Sequence, residues 1–359
     1  MTSPFYVDIP PPSPTIFVNG ICHPNLWLWD SWTAHDQSSL HLYCLALNRQ
    51  ACDGSAILPG DRNNYPFHIR HFLSEDDGIS WRDLGVVAKP GGAADGADGR
   101  NVWSGSVLRS HSGAWLYGYT GLRVKTDERQ FLQTICIADG TTPNAISGWS
   151  REALSCPLRD YDSILAAGYY LGAKDKLGSN AGEAGGPILA WRDPFLFYDK
   201  SGILNAVWAA KLGPTKPAVA RATIRETEDG FVIDRLFPPI ALPDAADFTQ
   251  AEVPKIYLDA ASGLYLMLIS ACDRLYEGQP NAEVTMEMRL YKSHDLEGPW
   301  QPYGGEGSRL PELRDLFGAS IISRGFSPEE LVFLGPYTEN AGPLKQLSFA
   351  PPVRMKQTA

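Results

Sequence analysis

The feature that most constrains this chain is one pattern written five times. Each copy opens with a short strand-like segment and continues into an apolar β-rich strand; most copies add a third strand closed by a turn. The openings read Trp29-Asp30-Ser31-Trp32, Trp103-Ser104-Gly105-Ser106, Trp191-Arg192-Asp193-Pro194, Ala251-Glu252-Val253-Pro254 and Phe317-Gly318-Ala319-Ser320. The apolar strands that follow begin at His41, Ala114, Ile203, Gly263 and Glu330. Similar turns close copies one, two and four, over Ser74 to Trp81, Ala138 to Trp149 and Ser293 to Trp300. A unit made only of strands and recurring at roughly 60–90 residues is the sequence form of a propeller blade. Five openings therefore predict an all-β, five-bladed β-propeller. Because such a ring closes only with every blade present, residues 1–359 are read as a single domain.

Uneven spacing between the openings places the extra residues in loops. The longest interval carries a Gly- and Ala-rich stretch from Ser163 to Gly186, read as a long loop with one helical turn. Residues 1–20, with three consecutive prolines, are read as an extended arm along the outside of the fold, and residues 351–359 as a polar tail. A second loop, Lys89 to Asn101, holds Asp95 and Asp98 but lacks the Asp-x-Asn/Asp-x-Asn/Asp-Gly order of a calcium loop, so it is read as a rim loop.

Charge excludes some partners. The formal net charge is −10 and no Lys/Arg cluster offers a stripe that would follow a phosphate backbone, so no nucleic acid is expected. No apolar run reaches the ~18 residues that mark a membrane span. The N-terminus has no basic region followed by an apolar core, which predicts a cytoplasmic protein, one exported by another route, or one whose leader is not part of this sequence. The six cysteines show neither CxxC nor zinc spacing and offer no disulfide framework; Cys44 and Cys136, within strand-like runs, are read as small core residues, and the pairing state is left open. His68, His71 and His111 have no partners at ligand spacing and are read as structural. Gly-x-Ser-x-Gly, P-loop and dinucleotide fingerprints are absent, so no cofactor and no metal is expected. Oligomeric state is not legible in the sequence.

The chemistry lies at the heads of the blades. In a propeller the first strand of each blade lines the central channel, so residues at those strand entries converge from distant parts of the chain. Asp30, Asp193 and Glu252 are read as occupying equivalent positions in blades one, three and four. Each alone has an ordinary reading: a turn residue, half of a local ion pair with Arg192, a solvated edge charge. Together they would place three carboxyls in one funnel, where mutual repulsion and burial raise at least one pKa. Two carboxyls flanking a sugar are the apparatus of glycoside cleavage, one attacking or activating water and the other protonating the departing oxygen. Trp29 and Trp103 would wall the sugar, and Ser104 would donate a hydrogen bond.

These segments closely resemble glycoside hydrolase family 68, the levansucrases, inulosucrases and related β-fructofuranosidases, in a clan of five-bladed propellers shared with the invertases. LWLWDSW resembles the family's nucleophile segment, NVWSGSVL its Trp-Ser-Gly-Ser segment, WRDPFLF its Arg-Asp-Pro segment, and TQAEVPKIY its acid/base segment. The resemblance implies that Asp30 is the nucleophile, Asp193 the transition-state stabiliser and Glu252 the general acid/base. It implies substrate contacts for Trp29, Trp103, Ser104, Arg192 and Gln250. The implied substrates are sucrose and other fructosides, and the implied reaction is retaining double displacement at the anomeric carbon, ending in hydrolysis or fructosyl transfer. Where the family commonly places Arg after the acid/base, this chain has Val253, which removes a bidentate donor beside the leaving sugar. Arg274 is the candidate replacement. A reduced acceptor side favours water, so hydrolysis is the expected main outcome. Two other readings stay open: an inverting arabinan- or xylan-type propeller glycosidase, and a carbohydrate-binding propeller without activity.

Overall fold

The computed structural model describes residues 16–36, 38–123, 131–179, 186–304, 307–323 and 330–356. Nearly all regular structure is β, arranged in five antiparallel sheets. Blade one contains β1 (Ile16–Val18), β2 (Leu26–His35), β3 (Leu40–Asn48), β4 (His68–Ser74) and β5 (Ser80–Ala88), in the order β1-β5-β4-β3-β2. Blade two is β6 (Asn101–Arg109), β7 (Trp115–Arg123), β8 (Leu132–Gly140) and β9 (Gly148–Trp149). The short helix α1 (Tyr161–Ala166) lies in the connection to blade three, which is β10 (Arg192–Tyr198), β11 (Leu204–Gly213), β12 (Lys216–Thr227) and β13 (Gly230–Leu236). Blade four is β14 (Gln250–Asp259), β15 (Leu264–Cys272), β16 (Met286–Ser293) and β17 (Gln301–Pro302). Blade five is β18 (Ser320–Ile321), β19 (Glu330–Leu334) and β20 (Val353–Lys356). Within each blade, neighbouring strands of the sheet pair antiparallel, and the five-bladed propeller expected from the repeat is the fold observed.

The apolar runs are explained by where the second strand of each blade sits. A strand with one wet face alternates apolar and polar residues, whereas one packed on both faces has no reason to alternate. Every residue of β3 is buried, and so is nearly every residue of β11 and β15. The buried apolar side chains form five clusters, one at each junction between neighbouring blades. Trp32 and Tyr43 fill the junction of blades one and two, and Trp191 and Trp208 that of blades two and three. Most of the 10 tryptophans thus serve as filler between sheets.

Ring closure brings blades one and five together without a shared strand. β1 pairs with β5 at the outer edge of blade one, and β20 lies at the outer edge of blade five. The blades are stitched instead by backbone bonds: Ile21 and Phe349 exchange two, at 3.1 and 2.9 Å, and the Leu28 N–H reaches the Leu347 carbonyl at 2.9 Å. Gly20 (φ 107°) precedes this stitch, and a Cβ there would lie 2.4 Å from the Phe349 oxygen. The segment read as a polar tail therefore contributes an outer strand over Val353–Lys356; its register with Glu330–Phe333 pairs Leu331 with Met355. Residues 16–18 of the expected arm do run along the outside as β1. Residues 1–15, 180–185 of the long loop, and 357–359 lie outside the described residues.

Asp98 is turned inward, accepting bonds from the Gly91 and Ala93 N–H groups and from the Tyr119 hydroxyl, while Asp95 pairs with Arg123. The loop is closed around its own acid. All six cysteines are unpaired.

Candidate active site

The heads of the inner strands of blades one to four are each distorted by one extra residue. In β2 the ladder steps from Trp29 opposite Leu45 to Ser31 opposite Cys44, leaving Asp30 unpaired between them. In β6 it steps from Trp103 opposite Thr120 to Gly105 opposite Tyr119, skipping Ser104. In β10, Asp193 and Pro194 together face Trp208; in β14, Val253 and Pro254 together face Ile269. Such bulges bend a strand and re-aim a side chain that a regular pleat would bury or expose. Asp30 (φ 45°), Asp193 (φ 64°) and Val253 (φ 47°) all adopt the left-handed region, unusual for non-glycine residues and most costly for a β-branched one. One local distortion thus recurs in blades one, three and four.

This geometry corrects the expected equivalence of the three acids. Asp30 and Asp193 are the left-handed residues of their bulges, but in blade four that place belongs to Val253. Glu252 stands one residue earlier, paired with Ser270, where blade three has Arg192 paired with Ala209. Arg192 and Glu252 are therefore structural counterparts, and they meet: Arg192 Nη2 lies 3.3 Å from Glu252 Oε1 and its Nε 3.6 Å from Asp193 Oδ2. The Val253 N–H donates to Asp193 Oδ2 at 3.2 Å. Val253 is buried and serves the site through its backbone N–H rather than its side chain.

One cleft gathers Asp30, Asp193 and Glu252 with Trp29, Trp103, Ser104, Arg192 and Arg274. Ser104 donates from Oγ to Asp30 Oδ2. Trp29 meets Phe67 edge-on at 4.7 Å, and the buried Trp103 Nε1 has no hydrogen-bond partner among the described residues, so it is a donor in reserve. Gln250 is not brought to the cleft wall. It is buried behind Arg274, donating from Nε2 to the Arg274 carbonyl at 3.4 Å. Arg274 lines the cleft, but its guanidinium is engaged by the Gln279 carbonyl and Asn281 Oδ1, each at 2.5 Å.

Blade five carries no acid at its head, for a steric reason. Gly318 (φ 69°) packs on Asp30 so closely that a Cβ would lie 2.5 Å from Asp30 Oδ1 and 2.7 Å from its Cα. Its carbonyl also accepts the Ser31 N–H and Oγ–H. Gly318→Ala is expected to shift Asp30 and to lower the urea midpoint by the equivalent of about 2 kcal/mol. An unchanged midpoint and unchanged activity would show that this contact does not position Asp30.

Several cleft residues escaped sequence reasoning. Phe131, Gln133 and Ile188 line the side formed by blades two and three. Cys272 Sγ donates to Glu252 Oε1 at 3.7 Å, and burial pushes its thiol well up, so it stays protonated. On the opposite side, loops of blades one, four and five are tied across the mouth. Arg62 pairs with Glu339, Asn281 donates to Glu339 at 2.6 Å, and Asn63 donates to Glu277 at 2.5 Å. These polar loop residues carry no repeat signature, so no pattern in the chain marks them.

The electrostatics follow from burial. Burial raises the Asp30 carboxyl, and the charge of Glu252 adds to this, against the Ser104 bond and the charges of Lys255 and Arg192. Burial pushes Asp193 up to about 7, opposed by Arg192 and reinforced by Asp30 and Glu252. A native carboxyl at about 7 keeps a proton that the unfolded chain releases above about pH 3.8. The stability due to that group is complete below pH 3.8 and is lost as pH rises through 7. Asp193→Asn removes this loss. Its unfolding free energy, read from urea titration, should exceed that of wild type at pH 8 by on the order of 2–4 kcal/mol, with the difference closing toward pH 4. A pH-independent difference would contradict the assignment.

No family model and no curated protein matches the chain at the sequence level. Solved structures match it along nearly its whole length. An inulosucrase from Halalkalicoccus jeotgali bound to kestose superposes with a TM-score of 0.66 at 19% identity, covering 98% of this chain and 90% of that one. A levansucrase complexed with sucrose gives 0.63 at 15% identity, covering 94% and 85%, and a B. megaterium levansucrase gives 0.62 at 14%, covering 93% and 83%. At such identities the likeness is one of architecture, and the chain has the five-bladed propeller fold of inulosucrase and the levansucrases.

Proposed function

We propose that this chain is a retaining glycosidase of β-fructofuranosides, with sucrose as the reference donor, acting through a covalent fructosyl-enzyme on Asp30. The observation that carries the reading is the gathering of three carboxyls from three blades into one cleft, each held differently. Asp30 is held by Ser104 and backed by Gly318, in a left-handed bulge that aims its carboxyl into the cleft. That is what a nucleophile needs: a fixed direction of approach and a donor that keeps one oxygen ionised while the other attacks. Glu252 has a quarter of its side chain exposed, against a twentieth for Asp193, and lies between Arg192 and Cys272. It is placed to give a proton to the leaving oxygen and to take one from the incoming water. Asp193 is buried and bound by the Val253 N–H, suited to gripping ring hydroxyls and to ionising as positive charge develops on the sugar. The fold neighbours support the reading, since one was solved with sucrose and another with kestose.

Water is the acceptor we assign. The donors on the blade one, four and five side of the cleft are already committed to protein: Arg274 to Gln279 and Asn281, Arg62 to Glu339. An incoming sugar would have to displace these bonds, and unpaired partners left behind cost more than the new contacts return. Incubation with concentrated sucrose, with glucose and fructose quantified separately, tests both statements. Equal release is the expected result. Glucose in excess with oligofructoside products would overturn the choice of acceptor, and release of arabinose from arabinosides with none of fructose from fructosides would overturn the substrate class.

A further inference from the structure

Beneath the three acids lies a cation that the proposed mechanism does not use. Lys255 follows the bulge of β14 directly and is fully buried in the inner strand. Its Nζ donates to the Ala319 carbonyl at 2.9 Å and to the Val253 carbonyl at 3.3 Å. Both acceptors belong to peptide segments that touch the acids. Val253 gives its N–H to Asp193, and Gly318, the neighbour of Ala319, packs against Asp30. One ammonium therefore joins the two backbone segments that place the two aspartates, and it does so where a lysine costs a great deal to bury.

We propose that Lys255 is a positioning residue for the fructosidase reaction: its charged head locks the Val253 bulge to the head of blade five, and its charge offsets negative charge on Asp30 and Asp193. This rests on the function proposed above and deepens it. The groups facing the ammonium are Asp30 on β2 and Asp193 on β10, with Arg192 beside Asp193 and Glu252 on its own strand; the blade-five segment Gly318-Ala319 presents only backbone. Burial draws Lys255 down to about 7, against the charges of Asp30 and Asp193, which hold its proton on. Turnover accordingly requires the protonated amine and fails when it is lost.

The test is the pH profile of fructoside cleavage by wild type, Lys255→Met and Lys255→Arg. Met keeps an unbranched chain one atom shorter and removes both bonds and the charge. The expected result is a fall in kcat of about 10²-fold, the scale of a misplaced catalytic group, with KM changing far less. The acid limb of kcat/KM should also move to higher pH, because the carboxylates lose their compensating charge. Arg should restore the position of that limb. A folded Met variant with unchanged kcat and an unmoved acid limb overturns the proposal.

Should neither variant fold, the alkaline limb of wild type decides. Ammonium ionisation is strongly endothermic and carboxyl ionisation nearly athermal, so a limb whose midpoint falls steeply on warming supports Lys255. A temperature-independent limb overturns it. Wild type that cleaves no fructoside removes the proposed function, and this proposal with it. Active wild type beside an unperturbed Met variant removes this proposal alone.

Discussion

Asp30→Ala should abolish fructoside cleavage, lowering kcat/KM by roughly 10⁴-fold or more, while leaving the fold intact. The loss is large because no neighbour can take over. Ser104, the closest polar group, presents a hydroxyl whose hydrogen bond exists to orient Asp30, and Asp193 is fixed by the Val253 N–H and Arg192. Removing a half-buried carboxyl whose pKa is raised should not weaken the protein, and the space it leaves lies beside Gly318 in a solvent-reached cleft. The informative pairing is therefore activity against thermal midpoint. Lost activity with a retained midpoint assigns Asp30 to the chemistry. Substantial residual activity in a folded variant would move the nucleophile elsewhere.

Glu252→Gln should be nearly as damaging toward sucrose, but selectively so. General acid catalysis contributes about 10²–10⁴-fold, and its share depends on how badly the leaving group needs a proton. With sucrose, the departing glucose must be protonated, so kcat should fall by about that factor. With a fructoside of an acidic phenol, formation of the fructosyl-enzyme no longer needs the proton, and a burst of phenol should appear before the slow step. The slow step is then attack by a water that has lost its base. Gln keeps the size of the side chain and an oxygen facing Arg192, so the contact at 3.3 Å is weakened without being emptied. Equal damage to both substrates and no burst would contradict an acid/base role.

What could be read in the sequence was whatever the fold repeats. The second strands of the blades are apolar on both faces because each is packed between neighbours, and runs such as those from His41 and Gly263 show this without any structure. The acids are legible for the same reason, since they head repeated strands. What repetition cannot report is register. A bulge inserts one residue without changing the order of residue types, so Glu252 looked like the counterpart of Asp193 although it is the counterpart of Arg192. The outermost strands were equally hidden: β9 and β17 span two residues each, too short for any alternation, and β20 lies in a segment of mixed polarity. Gln250 was placed at the substrate by resemblance alone, and the pairing of its strand with β15 turns it behind Arg274. Lys255 did leave a trace, a lone cation inside an inner strand, but its significance depends on Ala319, far away in the chain.

The charged cleft and its strained bulges belong together. Three left-handed residues, a buried lysine and two raised aspartates each cost stability at neutral pH, and a chain selected for stability alone would carry none of them. Their concentration at one end of one channel is the physical mark of a site whose geometry is maintained for chemistry.

The most direct test is to cleave sucrose in the presence of methanol and identify the methyl fructoside by NMR. Methyl β-fructofuranoside, absent with Asp30→Ala, is the expected product, because methanol captures a fructosyl-enzyme on the face from which glucose left. Methyl α-fructofuranoside, or a β product formed equally well without Asp30, would contradict double displacement through Asp30.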